Sequence, residues 1–570
     1  MQVAWKPMRL LVRPLPLLLL ITALFTFLIQ SGELGTSDTT HRLQVAHSLW
    51  TPEPQVFPNE YPEFGIHGRG GRLFAWYGIG QSLLMLPADL IGSAAGHLPF
   101  WSDYASNGAD PSIRSIIVSF STNILINVLT ALASFRLLSL FCFTTRESIA
   151  GALGLLVATT HLHYAQNMTE NNYILLLTIT GMTLQYQWLT TGSRRALFWG
   201  ATALGLNLLT RITTTLDILG VVCFLLLAFF FASRVNRLNP LHTASLATEN
   251  RSARSELRTY VATAVPIYAI FFFLDRIYQY IRFGSWTNTY FSVLARESRQ
   301  RDPSLPLSFP FNGSWFHGGF SSGVFGPLFA PEKSIFLFDP MLLLMLLLAP
   351  LLWKRLTPPM RAFLVATLLL LTAYIAFYAS FLWWPGDFAW GDRYVSSAAE
   401  LATLLAIPLL FRYWKTLAQT IRSLALAIIA ASVAIQCASL AFWLPLEIYQ
   451  METFGHPTWV VLLRFKNIAA FALGRREAWG LNTPAMFDDP WDAAHITAWN
   501  FLPSLLRHIG AAPLWVVYIL YGVWLAVAFA LLFASARFIR AVFRPAHLDG
   551  TQNEYRRISR NQSDSHGSNL

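Results

Sequence analysis

The chain has 570 residues, of which 54% are apolar and only 12% charged, and its mean hydropathy is +0.45. Nearly uncharged runs of about 18 to 22 residues recur along it, each able to cross roughly 30 Å of hydrocarbon as a helix, which excludes a secreted or cytosolic enzyme. Lys and Arg number 41 against 30 Asp and Glu, a net charge of +11. The bases cluster in short segments between apolar runs, so membrane topology accounts for them and nucleic acid is not a partner.

In chain order, the apolar runs place spans at about 10–30, 114–141, 148–166, 172–190, 196–210, 212–232, 259–280, 334–353, 362–383, 395–413, 423–444 and 514–537. The opening run follows Lys6, Arg9 and Arg13 with no small-residue cleavage pattern after it, and reads as a retained span. About twelve spans put both termini on the cytoplasmic side, where the basic segments satisfy the positive-inside rule. The short stretch Ser82 to Ile91, with Pro87 and Asp89, is expected to lie along the outer interface. Residues 1–545 thus read as one transmembrane unit with outer segments 31–113, 281–333 and 445–513, followed by a polar, disordered cytoplasmic tail over 546–570. The expected fold class is an all-α polytopic membrane protein with amphipathic helices on its outer face. Cys142, Cys223 and Cys437 are too scattered for a disulfide framework or a zinc site.

Most carboxylates fall in the outer segments, so chemistry is sought there. No GxxxxGK[ST] loop is present, which argues against nucleotide-driven transport. The segment Ser31 to Trp50 begins a helix-like pattern at Ser37-Asp38, with Leu43, Ala46 and Leu49/Trp50 on one face. Asp38 at such a helix start reads as an N-cap when taken alone.

A recurring order of motifs changes that reading. Asp38 is followed by Tyr77-Gly78-Ile79-Gly80-Gln81-Ser82 and Pro87, then Arg282-Phe283-Gly284, then Gly323 to Ser334, then Trp383-Trp384 and Trp390-Gly391-Asp392-Arg393-Tyr394. This order resembles bacterial integral-membrane glycosyltransferases of the GT-C superfamily, relatives of the dolichyl-phosphate-mannose protein mannosyltransferases and the lipid A aminoarabinose transferase. The resemblance covers residues 10 to 413 and ends by about residue 445. It implies a GT-C-like fold, a polyprenyl-phosphate sugar donor and membrane lipids as partners, and a glycan, lipid or protein acceptor in the cell envelope. It places the protein in the bacterial inner membrane as a multi-pass protein, with catalysis on the outer face. Members often carry Asp-Glu where this chain has Asp38-Thr39, and Gly-Pro-Arg where it has Gly391-Asp392-Arg393. The second acid therefore falls to Glu170 or Glu33.

The chemistry of sugar transfer assigns the remaining roles. A hydroxyl acceptor needs a base, for which one positioned carboxylate suffices, and Asp38 is the first choice. The departing phosphate gains charge that a fixed cation stabilises, for which Arg393, Lys333 and Arg211 are the candidates, although Arg393 and Lys333 taken alone also fit headgroup anchoring. Arg42, Tyr77 and Tyr394 are expected to contact acceptor or sugar. His161 and His163 with Glu170 are a donor set that a divalent cation accepts, but such residues are more often interfacial, and no metal is assigned. Two other readings stand beside the enzyme: a transporter or flippase of a lipid-linked saccharide, and an inactive scaffold of the same fold.

Overall fold

The computed structural model describes residues 14–61, 64–97, 111–238, 253–311, 319–386, 389–443, 445–475, 498–510 and 512–543. The tail expected over 546–570 and the first residues of the opening span lie outside them. The described chain is helical almost throughout. Its β-structure is an antiparallel pair, Gly65–His67 with Leu73–Ala75, in which Ile66 faces Phe74, and an isolated bridge between Phe311 and Phe381.

Among the described residues six helices are long and apolar enough to cross a bilayer: Ile113–Leu140, Ile212–Ala232, Arg254–Phe283, Pro358–Tyr378, Gln419–Ser439 and Leu514–Val542. Pro14–Ile29, Glu170–Thr191 and Arg194–Thr210 form unbroken helices in three further expected spans. The expected spans at 148–166, 334–353 and 395–413 are instead interrupted, as Thr145–Val157 with His161–Gln166, Ile335–Phe338 with Met341–Leu352, and Ser396–Thr403 with Ala406–Tyr413.

The interruptions have local causes. Pro408 has no N–H to offer the carbonyl of Leu404, so the last of these helices stops and restarts there. Two of the breaks support one another. The Thr160 N–H donates to Asp339 Oδ1 at 2.6 Å, and Thr160 Oγ1 lies 2.9 Å from Asp339 Oδ2 and 2.7 Å from Glu400 Oε1. Side chains thus stand in for helix hydrogen bonds that hydrocarbon could not replace.

The main core joins these elements through large rings. Phe363 meets Phe141 at 5.5 Å and Phe224 at 6.0 Å between ring centres, both edge to face. The flanking helices Arg254–Phe283 and Leu514–Val542 keep apolar side chains such as Ile270, Phe273, Phe529 and Leu532 exposed, the pattern of surfaces that face lipid.

The connecting segments carry shorter helices. Gly80–Gly96 buries Gln81, Ser82, Met85, Ala88, Asp89 and Gly92 along one face, against the Ser37–His47 and Ile113–Leu140 helices. Asp89 is spent inside this packing: it accepts from His47 Nδ1 at 3.0 Å, Trp50 Nε1 at 2.8 Å and Arg114 Nε at 2.5 Å. In the 445–513 segment, Arg464 makes a bidentate bond to Glu447, both arms 2.6 Å, with both side chains fully buried. That pair fixes the Val460–Ala472 helix to Pro445–Phe454.

Candidate functional site

The helix that carries Asp38 spans Ser37–His47, and its N-cap is Thr36, whose hydroxyl accepts from the Thr39 N–H at 3.3 Å. Asp38 is therefore not the cap that its position suggested. The helix also ends at His47, so Leu49 and Trp50 lie beyond it and are exposed, off the apolar face expected for them. Freed from capping, the Asp38 carboxylate accepts from the Tyr77 hydroxyl at 2.8 Å and pairs with Arg393 at 2.5 Å. Burial alone would raise its pKa. The charges of Arg393 and Arg42 and the Tyr77 hydrogen bond overcome that and hold the carboxyl well below the usual range.

Arg42 lies one helical turn after Asp38 on the same face. Its guanidinium reaches Glu170 Oε2 at 2.9 Å and stacks over the Tyr77 ring at 4.4 Å. Burial draws the Arg42 pKa down to about 10 against the opposing pull of Asp38. Glu170 starts the Glu170–Thr191 helix, is buried, and also pairs with Arg211 through its other oxygen. Arg211 sits just past the end of the Arg194–Thr210 helix, over the Tyr394 ring at 5.1 Å. Two ion pairs, Asp38 with Arg393 and Arg42 with Glu170, thus stand side by side, bridged by Tyr77.

Glycines make this approach feasible. A Cβ on Gly78 would fall 2.3 Å from the Thr210 carbonyl oxygen, and one on Gly80 would fall 2.3 Å from Thr210 Oγ1. Only a bare backbone can lay Tyr77 against the end of the Arg194–Thr210 helix. Gly35, at φ +80, touches the Asn167 backbone in the same manner.

Asp38, Arg42, Tyr77, Glu170, Arg211 and Arg393 line one cavity of about 820 Å³, together with Lys333, Tyr378, Tyr394 and His163. Lys333 is buried, and its ammonium donates to the Ala389 carbonyl at 2.8 Å and to that of Gly391 at 3.3 Å. The lining holds five cations, Arg42, Arg211, Arg276, Lys333 and Arg393, against the carboxylates Asp38, Glu170, Asp275 and Glu332. Asp275 and Arg276 pair with each other. Glu33 is buried but is not among the lining residues, so of the two acids named beside Asp38 it is Glu170 that the cavity contains.

The histidines are placed apart. His161 Nε2 is 2.8 Å from Asn127 Oδ1 and its Nδ1 is 3.7 Å from Glu400, whereas His163 stacks on Trp390 at 5.6 Å. Among the described residues no group of three or more His, Cys, Asp or Glu is arranged to hold a metal ion.

Three contributors carried no sequence signal. The Tyr378 hydroxyl lies 3.4 Å from Arg211 and 3.1 Å from Thr213, and its ring stacks on Tyr394 at 4.4 Å. A tyrosine at a span end reads as interfacial. Tyr164 donates to the Trp390 carbonyl at 2.9 Å, and Asn171 donates to the Arg393 carbonyl, a bond that holds the Arg393 segment against the Glu170–Thr191 helix.

The sequence matches no family profile and no curated protein. Among solved structures it is similar to ArnT from Cupriavidus metallidurans, a crystal structure with bound undecaprenyl phosphate. The TM-score is 0.38 and the identity 14%, covering 93% of this chain and 77% of that one.

Proposed function

We propose that the protein is a membrane glycosyltransferase that moves one sugar from a polyprenyl-phosphate donor to a hydroxyl of a glycan, lipid or protein. The observation that supports this reading is the placement of Asp38 in one cavity with Arg42, Arg211, Lys333 and Arg393. The acceptor oxygen attacks the anomeric carbon while its proton passes to Asp38. The bond from that carbon to the phosphate oxygen breaks, and its electron pair leaves with the lipid phosphate. A positioned base of this type is worth about 10²–10⁴ in rate.

The cationic surplus suits this step better than it suits simple binding. The donor diester carries a single negative charge, whereas the released monoester carries about −1.5 to −2. Fixed guanidinium and ammonium groups therefore gain most as the bond breaks, which is transition-state stabilisation. Arg393, Lys333 and Arg211 take the phosphate, Tyr77 orients Asp38, and Glu170 orients Arg42 and Arg211. On this reading the cavity opens at the outer face of a bacterial inner membrane, with both ends of the chain cytoplasmic.

A second reading, movement of the lipid-linked saccharide itself, draws support from the three interrupted helices, a feature of transporters. Transfer from radiolabelled polyprenyl-phosphate monosaccharides in proteoliposomes decides between the two. The enzyme reading requires product from at least one donor and its loss in Asp38→Asn. Labelled lipid that changes leaflet without any product supports the transporter.

A further inference from the structure

We propose that Arg393 is exchanged between two anions during turnover, bound to Asp38 in the empty site and to the donor phosphate in the loaded one, so that donor binding releases Asp38 to act as a base. This inference rests on the function proposed above and concerns the order in which the site becomes competent.

The geometry poses the problem that the exchange solves. Arg393 meets Asp38 Oδ2 at 2.5 Å while Tyr77 occupies Oδ1 at 2.8 Å, and the two ion-paired side chains are only 11% and 19% exposed. Both carboxylate oxygens are therefore engaged. A carboxylate held so far below its usual range is also a poor proton acceptor, because basicity falls with pKa. The Arg393 contact thus both occupies an Asp38 oxygen and lowers the basicity of the carboxylate.

The other cations do not share this relation to the base. Arg211 is paired with Glu170, and Lys333 donates to the Ala389 and Gly391 carbonyls. Arg393 is the phosphate-binding candidate that is paired directly with the proposed base. Asp38 is faced by Tyr77 from the segment after the Leu73–Ala75 strand, by Arg393 from the segment before Ser396, and by Arg42 from its own helix. Moving Arg393 a short way onto a phosphate removes the largest of the attractions that depress the Asp38 pKa and leaves the Tyr77 bond to keep the carboxylate aimed. The Arg393 contact thus masks the base, and a donor bearing an anion unmasks it.

Two measurements test the exchange. The first is equilibrium binding of undecaprenyl phosphate, which carries no sugar, to the detergent-solubilised full chain in a double-mutant cycle. If Asp38 and phosphate compete for Arg393, Asp38→Asn tightens binding about tenfold in the wild-type background and less than about twofold in Arg393→Gln. Equal tightening in both backgrounds is ordinary charge repulsion and overturns the exchange, as does no tightening at all. Absence of binding to the wild type and to Asp38→Asn removes the proposed function and this inference together. The second measurement needs no variant. The acid limb of kcat reports the loaded enzyme and that of kcat/KM the free one. The exchange places the kcat limb at least about one pH unit above the kcat/KM limb, whereas coincident limbs overturn it with transfer itself intact.

Discussion

Arg42 and Glu170 meet at 2.9 Å with both side chains buried, across segments that lie far apart in the chain. Through Glu170 the same contact reaches Arg211, so one carboxylate orders two guanidinium groups of the cavity wall. Removing one partner of a buried ion pair strands the other charge and costs about 3–5 kcal/mol. Glu170→Gln is therefore expected to lower the melting temperature markedly and to reduce transfer through misplaced arginines. If Glu170 instead served as a second acid in the reaction, the same substitution would cut kcat with the melting temperature unchanged, and parallel thermal and kinetic measurements separate the two.

The Asp38–Arg393 pair has a stability signature of its own. Because the folded carboxyl titrates below its ordinary value of 3.8, the stabilisation it brings is complete above about pH 4 and is lost only as pH falls through the lower folded value. The stability difference between wild type and Asp38→Asn should thus be flat from about pH 8 to 5 and shrink only below about 4. A difference that stays flat below pH 4 would show that the carboxyl is not depressed in solution.

Much of this arrangement was legible in the sequence, and the remainder has identifiable causes. Apolar runs located the membrane helices because length and hydropathy are local properties. Pro408 gave a local warning of an interrupted span, whereas the break at Thr160 depends on Asp339, which only the fold brings near. Asp38, Tyr77, Lys333, Arg393 and Tyr394 could be named from motif order, and Glu170 and Arg211 from their places in outer turns. Their pairings could not be read, since nothing near Asp38 indicates that its partner is Arg393. The capping reading failed for a physical reason: Thr36 is an equally good cap one position before Ser37, which left Asp38 available. Tyr378 was silent because a tyrosine that lines a cavity and one that faces headgroups look alike in sequence.

Asp392 yields a prediction of opposite sign. It is buried and its Oδ1 accepts from the Tyr394 N–H at 2.9 Å. Burial pushes its pKa up to about 7 despite that hydrogen bond and the nearby Lys333 and Arg393 charges. Between about pH 4 and 7 the folded protein then holds a proton that the unfolded chain releases, so stability falls as pH rises through this window. Asp392→Asn should remove the decline and leave a protein more stable than wild type at pH 8 but not at pH 4. Melting temperatures at the two pH values check this, and an equal shift at both contradicts it.

Gly78 tests whether the Tyr77 segment must press on the Arg194–Thr210 helix for the site to exist. A methyl group there would stand 2.3 Å from the Thr210 carbonyl oxygen and 2.4 Å from that of Leu209, and both are backbone atoms that cannot swing aside. Overpacking of this type costs about 1–3 kcal/mol, which a protein with so extensive a main core can survive. The consequence for function is larger, because relief of the clash carries Tyr77 away from Asp38 and from the face of Arg42. Gly78→Ala should therefore fold with a modestly lower melting temperature yet lose most transfer. Gly70→Ala is the control. That residue has positive φ, at +69, and nothing lies within 4 Å of its added methyl, so the substitution strains the backbone without displacing a neighbour. Equal loss of transfer in the two variants would mean that loop strain, rather than the seating of Tyr77, governs activity.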